Sequence, residues 1–202
     1  MTIRRRITPV ALLIAAAACT SGTDRAATTD SAVMRPGAAN DARPSIPSTP
    51  PAMAPASDSA VTEHGLGPLR AGMTFADAKQ ALGGALIAPA DTTGCHYATW
   101  RGGPRGVRVM IDEGRVARVD VDSAGVATAA GARVGDSEER IQRLYAGRVK
   151  TTPHKYEEGG HYLTVDAADD STFAIVFETS KGRVTRYRAG RRPAVEYVEG
   201  CG

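Results

Sequence analysis

Aromatic side chains are scarce in this chain of 202 residues, with one Trp, six Tyr and three Phe, or 5% of the total. So few large rings are claimed first by packing, so any aromatic singled out as a binding residue competes with a role in the core. Long apolar runs are also lacking. The only extended one, Ile7 to Ala18, is about a dozen residues, well short of the roughly 20 that a membrane-spanning helix needs. There is no Gly-x-Ser-x-Gly elbow, no glycine loop built to cradle phosphates and no His-Glu-x-x-His helix, which removes the usual inventories of hydrolases and nucleotide enzymes. Cys-x-x-Cys and paired-His spacings are missing too, and with them the common zinc frameworks.

What is present begins at the N-terminus. Arg4, Arg5 and Arg6 form a positive segment, Ile7 to Ala18 an apolar one, and Ala16, Ala17 and Ala18 set small residues before Cys19. That order predicts an export signal over residues 1–18 that is removed. Ile14 to Cys19 resembles the bacterial lipobox, although Ala16 stands where that motif most often carries Leu. The resemblance implies that Cys19 is acylated and becomes the N-terminus of a protein held to a membrane by lipid. Thr20 follows it where lipoproteins kept at the inner membrane often have Asp, which points to an outer membrane facing the periplasm. The competing reading is a plain secreted protein in which Cys19 falls there by coincidence.

Loss of the signal changes the charge. The formal net charge of +3 equals the three signal arginines, so 22 basic side chains are left against 22 acidic ones. A near-neutral chain with interspersed signs carries no electrostatic footprint for nucleic acid. With Cys19 lipidated, Cys95 and Cys201 remain in a compartment where disulfides persist, and they are predicted to pair. A zinc site from Cys95, His96, Cys201 and either His154 or His161 is the alternative, without spacing to support it.

Residues 19–62 are rich in Ala, Ser, Thr, Pro and Asp, and Pro36, Pro44, Pro47, Pro50, Pro51 and Pro55 deny them regular ladders. They are expected to be a disordered tether, unable to bury enough apolar surface to offset chain entropy. Residues 63–202 suit one folded domain, with an internal repeat as its organising feature. Arg70, Gly72, Thr74 and Gly84 align with Arg133, Gly135, Ser137 and Gly147, and Gly114 to Val119 echoes Gly182 to Tyr187. Thr74 and Ser137 are natural N-caps, with apolar residues at helical spacing behind them and glycines to stop each helix. Alternating apolar runs around Asp112-Glu113-Gly114-Arg115 and Ser180-Lys181-Gly182-Arg183 read as hairpins. The expected fold is therefore α+β: two tandem α-β-β-β repeats, a helix packed on antiparallel sheet in each, over about 63–125 and 126–202. Ala194 to Val198 reads as a further strand returning Cys201 to Cys95.

Gly72-Met73-Thr74 with Ala78 and Leu82-Gly83 resembles the helix motif of the BamE (SmpA/OmlA) lipoproteins of the barrel-assembly machinery, and the tandem plan is similar to the β-lactamase inhibitory protein. The resemblance implies binding of proteins or envelope components rather than catalysis. The chain departs from both, since the inhibitors lack a lipid anchor and BamE-type proteins have one repeat.

His96, Tyr97 and Trp100 in the first repeat, and Tyr156, His161 and Tyr162 in the second, form the candidate binding surface, with core packing as the competing role. Cys95 beside His96 makes a poor nucleophile and base, because neighbours on a strand point to opposite faces. Asp166, Asp169 and Asp170 read as a solvated turn ahead of a weak calcium site. No catalytic residue, metal or cofactor is expected. The expectation is a lipid-anchored envelope protein, joined to the membrane through Cys19, that binds a protein or envelope partner; the alternative is an inhibitor or sequestering protein of a secreted hydrolase, and an enzyme is a distant third.

Overall fold

Runs in which apolar and polar residues alternate cannot bury a helical stripe but can bury one face of a sheet. In the computed structural model, which describes residues 59–201, they build most of the molecule. The expected signal peptide over residues 1–18, Cys19 and the tether as far as residue 58 lie outside the described residues. Three two-residue strands, β1 (Val61–Thr62), β2 (Gly65–Leu66) and β3 (Leu69–Arg70), form a small antiparallel sheet. Val61 is fully buried, so the last residues assigned to the tether belong to the fold.

The main sheet has eight antiparallel strands. They are β4 (Leu86–Ile87), β5 (His96–Trp100), β6 (Val107–Asp112), β7 (Arg115–Val121), β8 (Val149–Pro153), β9 (His161–Asp166), β10 (Phe173–Ser180) and β11 (Arg183–Arg191), in the order β4-β5-β6-β7-β11-β10-β9-β8. Helices α1 (Phe75–Ala81) and α2 (Glu138–Leu144) are seven residues each.

The expected α+β class of two tandem α-β-β-β repeats, each a helix on its own sheet, is overturned. The protein is mostly β, and the two halves merge because β7 pairs with β11, from Tyr187 opposite Val121 to Gly190 opposite Arg118. Each helix is followed by four strands, not three: β4 and β8 extend the two edges of the one sheet. The aligned stretches nonetheless take matching local geometry. Gly72 N–H donates to Val116 O at 2.7 Å and Gly135 N–H to Val184 O at 2.8 Å. Both hairpins turn through consecutive residues of positive φ, Glu113 and Gly114 at 48° and 72°, Lys181 and Gly182 at 49° and 73°. This is the type I′ geometry that suits the right-handed strand twist.

Thr74 Oγ1 accepts from Asp77 N–H at 3.1 Å and Ser137 Oγ from Arg140 N–H at 3.3 Å, so both helices are capped as their sequences require. Ala78 and Ile141 pack on one face of the main sheet with Val109, Val119, Leu163, Phe177 and Tyr187. Buried hydroxyls there are satisfied: Tyr145 donates to Thr128 Oγ1 at 2.7 Å and Tyr187 to Val126 O at 3.1 Å.

The other face of the sheet is crossed by the C-terminus. Residues 194–198 are not a strand: Ala194–Glu196 is a 3₁₀ turn whose Ala194 and Val195 are buried against that face. Their backbone acceptors go to arginine side chains instead of to a neighbouring strand, which removes the reason for extended pairing. Cys95 and Cys201 are disulfide-bonded with Cα atoms 5.3 Å apart, tying this strap to the start of β5. Among the described residues no helix is long and apolar enough to cross a membrane.

Candidate functional site

The strap face is built by the side chains that alternate away from the helices. Register fixes its rows: Arg108 on β6 lies opposite Asp120 on β7, Asp120 opposite Arg188 on β11, and Arg188 opposite Val176 on β10. Arg118 and Arg188, on the two central strands, are 3% and 4% exposed. Arg118 Nη1 donates to Ala194 O at 2.6 Å and Tyr197 O at 2.7 Å, its Nη2 to the Tyr97 hydroxyl at 3.0 Å, and its Nε pairs with Asp120 at 3.1 Å. Arg188 Nε donates to Val195 O at 2.5 Å. Two guanidinium groups therefore grip three carbonyls of the strap, a fork geometry that lysine does not supply.

Glu178, on β10, is 1% exposed and sits between arginines. Arg188 Nη1 donates to its Oε1, and Arg186 Nε to its Oε2 at 2.5 Å. Burial alone pushes its carboxyl up, but the charges and hydrogen bonds of Arg188 and Arg186 outweigh it and hold the group below the usual carboxylate range. Burial likewise lowers the guanidinium of Arg188, opposed by Glu178. His154 Nε2 lies 3.6 Å from Glu178 Oε2 while its Nδ1 accepts the amides of Tyr156 and Glu157 at 3.1 Å each. Two donors at Nδ1 assign the tautomer with hydrogen on Nε2.

The sequence candidates divide between the faces. Tyr97 and Tyr162 are on the strap face, Tyr97 beneath the Arg108 guanidinium at 4.7 Å and Tyr162 stacked on His154 at 4.5 Å. Burial, then the charge of Asp120, raises the Tyr97 phenol. Tyr156 is exposed at the rim, where its hydroxyl donates to Glu199 of the strap. Trp100 packs on the main core, so it serves the helix side, and by strand alternation His96 shares that side. His161 also faces α2, meeting Glu138 Oε1 at 3.0 Å. The six residues thus do not form one surface.

Thr179, Glu138 and His161 come together, with Thr179 Oγ1 donating to Glu138 Oε1 at 2.5 Å, yet Thr179 is 1% exposed and out of reach of a substrate. The trio ties β9 and β10 to the start of α2. The disulfide removes both thiols from the zinc alternative. Asp166 is held by Lys150 at 2.6 Å and Arg192 at 2.7 Å, and those two hydrogen bonds lower its carboxyl. Asp169 meets His64 at 3.1 Å and Asp170 accepts from Thr172 N–H at 2.9 Å, so the three aspartates have separate partners. Among the described residues no three His, Cys, Asp or Glu side chains converge as a metal site.

Sequence reasoning missed Arg108, Arg118, Asp120, Glu178, Arg186 and Arg188. For the four on β7 and β11 the signal was there: in Arg118-Val119-Asp120-Val121 and Arg186-Tyr187-Arg188-Ala189 the apolar residues form one face and the charges the other. A sheet with charge on its second face needs a polar cover, and here the strap provides it.

Fold and site together define a mostly β protein whose charged sheet face is covered by its own disulfide-tethered C-terminus. No family model and no curated protein matches the chain. Among solved structures it is similar to the uncharacterized protein yfeY from Escherichia coli, with a TM-score of 0.41 and 14% sequence identity over 65% of this chain and 99% of that one. That likeness names no BamE-type family and assigns no activity.

Proposed function

We propose that the chain is an exported, lipid-anchored protein of the cell envelope, at the outer membrane facing the periplasm, that binds a protein or another envelope component and is not an enzyme. The observation that carries the reading is the order of Arg4 to Arg6, the short apolar stretch and Cys19 behind three alanines. The Cys95 to Cys201 disulfide supports it, because such bonds persist outside the cytoplasm. Binding is favoured over hydrolysis by the state of the carboxylates on the strap face. Asp120, Asp166, Glu178, Glu196 and Glu199 are each held by an arginine or lysine, which leaves none of these five free as a general base.

The test is mass spectrometry of the protein extracted from membranes, together with fractionation of Cys19→Ser. Acyl mass on Cys19, and release of the variant into the soluble fraction, are expected; an unmodified Cys19 would remove the premise of anchoring. Affinity capture of envelope proteins by the full-length protein then addresses the partner. A single hydrolase as the sole specific partner would replace this reading with that of an inhibitor.

A further inference from the structure

Beneath residues 198–200 of the strap lies a pocket of about 250 Å³ lined by Tyr97, Arg108, Arg118, Arg186, Arg188 and acidic neighbours. Its donors and acceptors do not balance. Both oxygens of Glu178 are engaged, one by Arg188 and one by Arg186, and Asp120 is engaged by Arg118. Glu199 turns to Lys155 at 3.3 Å and to the hydroxyl of Tyr156. The carboxylates that line the pocket therefore already have cationic partners. The guanidinium groups, by contrast, keep donors in reserve.

Arg186 uses only Nε, so neither of its Nη groups meets an acceptor among the described residues. Arg188 uses Nε and Nη1, leaving Nη2. No buried side-chain nitrogen or oxygen lacks a partner among the described residues, so this unpaired Nη2 is not sealed from solvent, and Arg188 is part of the pocket lining. Arg108 forms no ion pair among them and rests on the ring of Tyr97, which fixes its plane without consuming an N–H. Arg108 and Arg188 flank Asp120 in one cross-strand row, and Arg186 is two residues from Arg188 on the same strand and the same face. Adjacent strands are about 4.8 Å apart, so the backbones of the two flanking arginines, with β7 between them, are roughly 10 Å apart, a gap that two long arginine side chains can close on a common ligand.

From this we infer that the pocket is a binding site for a small phosphoryl oxyanion. Unpaired Nη groups on three guanidiniums suit a tetrahedral, multiply charged group with several strong acceptors, and arginine forks bind such groups at more than one point. Arg118 and Arg188 are held in place by the strap, so part of the site is ordered before the ligand arrives. The inference goes beyond the proposed function and does not depend on Cys19 carrying lipid.

Isothermal titration calorimetry of the purified full-length protein with inorganic phosphate and with glycerol phosphate, against chloride at matched ionic strength, tests it. Saturable binding is expected for the first two and not for chloride. The double variant Arg108→Gln with Arg186→Gln should weaken it by about tenfold or more, since charge-assisted hydrogen bonds are the strong ones. Both residues are exposed, but Arg186 also holds buried Glu178, so the single variant Arg108→Gln, whose side chain forms no ion pair among the described residues, is measured beside it and should also weaken binding, with an unchanged melting midpoint verifying its fold. Arg101→Gln, on an exposed arginine that does not line the pocket, should bind like the parent. Glycerol phosphate binding as well as inorganic phosphate assigns the site to an esterified phosphoryl group, and preference for inorganic phosphate assigns it to the free ion. No saturable binding of either, or binding unchanged in the double variant, would overturn the inference.

Discussion

Two arginines and a histidine converge on the buried carboxylate of Glu178. Truncation by Glu178→Ala leaves Arg188 buried without its counter-charge. Removing one partner of a buried pair costs about 3–5 kcal/mol, and chemical denaturation should show a loss of that size. The same pair predicts a pH dependence whose sign follows from the lowered carboxyl. A group with a folded pKa below its ordinary value of 4.5 binds protons more readily when unfolded, so its stabilisation is present above that value. It is lost as pH falls through the folded pKa. Urea midpoints should therefore decline from pH 5 downward, and Glu178→Gln should flatten part of that decline; an identical slope in the variant would contradict the assignment. The alternation puts Arg186 and Arg188 on one face, but the burial of Glu178 and its pairing with them are not legible in the sequence, where it stands as an ordinary charge after Phe177.

Individual elements show where sequence reasoning succeeds. The helix starts at Thr74 and Ser137 and the two Gly-containing turns were legible, because cap and turn chemistry acts over three or four residues. Strands β1 to β4 are only two residues each, too short to show an alternation, and the small sheet of β1 to β3 is joined to the rest of the fold through a partner distant in sequence, the bridge between Val61 and Thr128. No local pattern announces them. Strand β8, with Lys150, Thr151 and Thr152 exposed, has no apolar alternation to read because it is an edge strand on which only Val149 packs against the core. The junction of β7 and β11 was also hidden, though one residue marks it. A Cβ added at Gly190 would sit 2.4 Å from Ala117 O and 2.6 Å from the Arg118 Cα, both backbone atoms of the neighbouring strand. Gly190→Ala must push the two central strands apart, at a cost of about 1–3 kcal/mol or more. Thermal melts should register it, whereas a midpoint like that of the parent would mean that the strands are not so closely apposed.

At the scale of the whole molecule, the disulfide joins the end of the chain to the first long strand across a sequence separation of 106 residues. Closing a loop of that length removes denatured-state entropy equivalent to about 4–5 kcal/mol in the chain-entropy model, and measured values usually fall lower. Reduction has a second consequence. The strap is fastened at one end by Arg192, through Asp166 and Glu196, in its middle by Arg118 and Arg188, and at its far end by Cys201. A dithiol reductant should therefore release the far end first. Amide exchange after reduction should quicken over residues 197–201, while the amides of β7 and β11 keep their protection until global unfolding. The Cys95→Ser, Cys201→Ser pair should reproduce that pattern without reductant and lose about 2–4 kcal/mol. If exchange at residues 197–201 is unchanged on reduction, the side-chain contacts at Tyr97 and Glu199 hold the segment unaided, and the disulfide acts on the unfolded chain alone. If exchange quickens evenly across the sheet, the strap is part of the main cooperative unit, and the charged face cannot be uncovered without unfolding the protein.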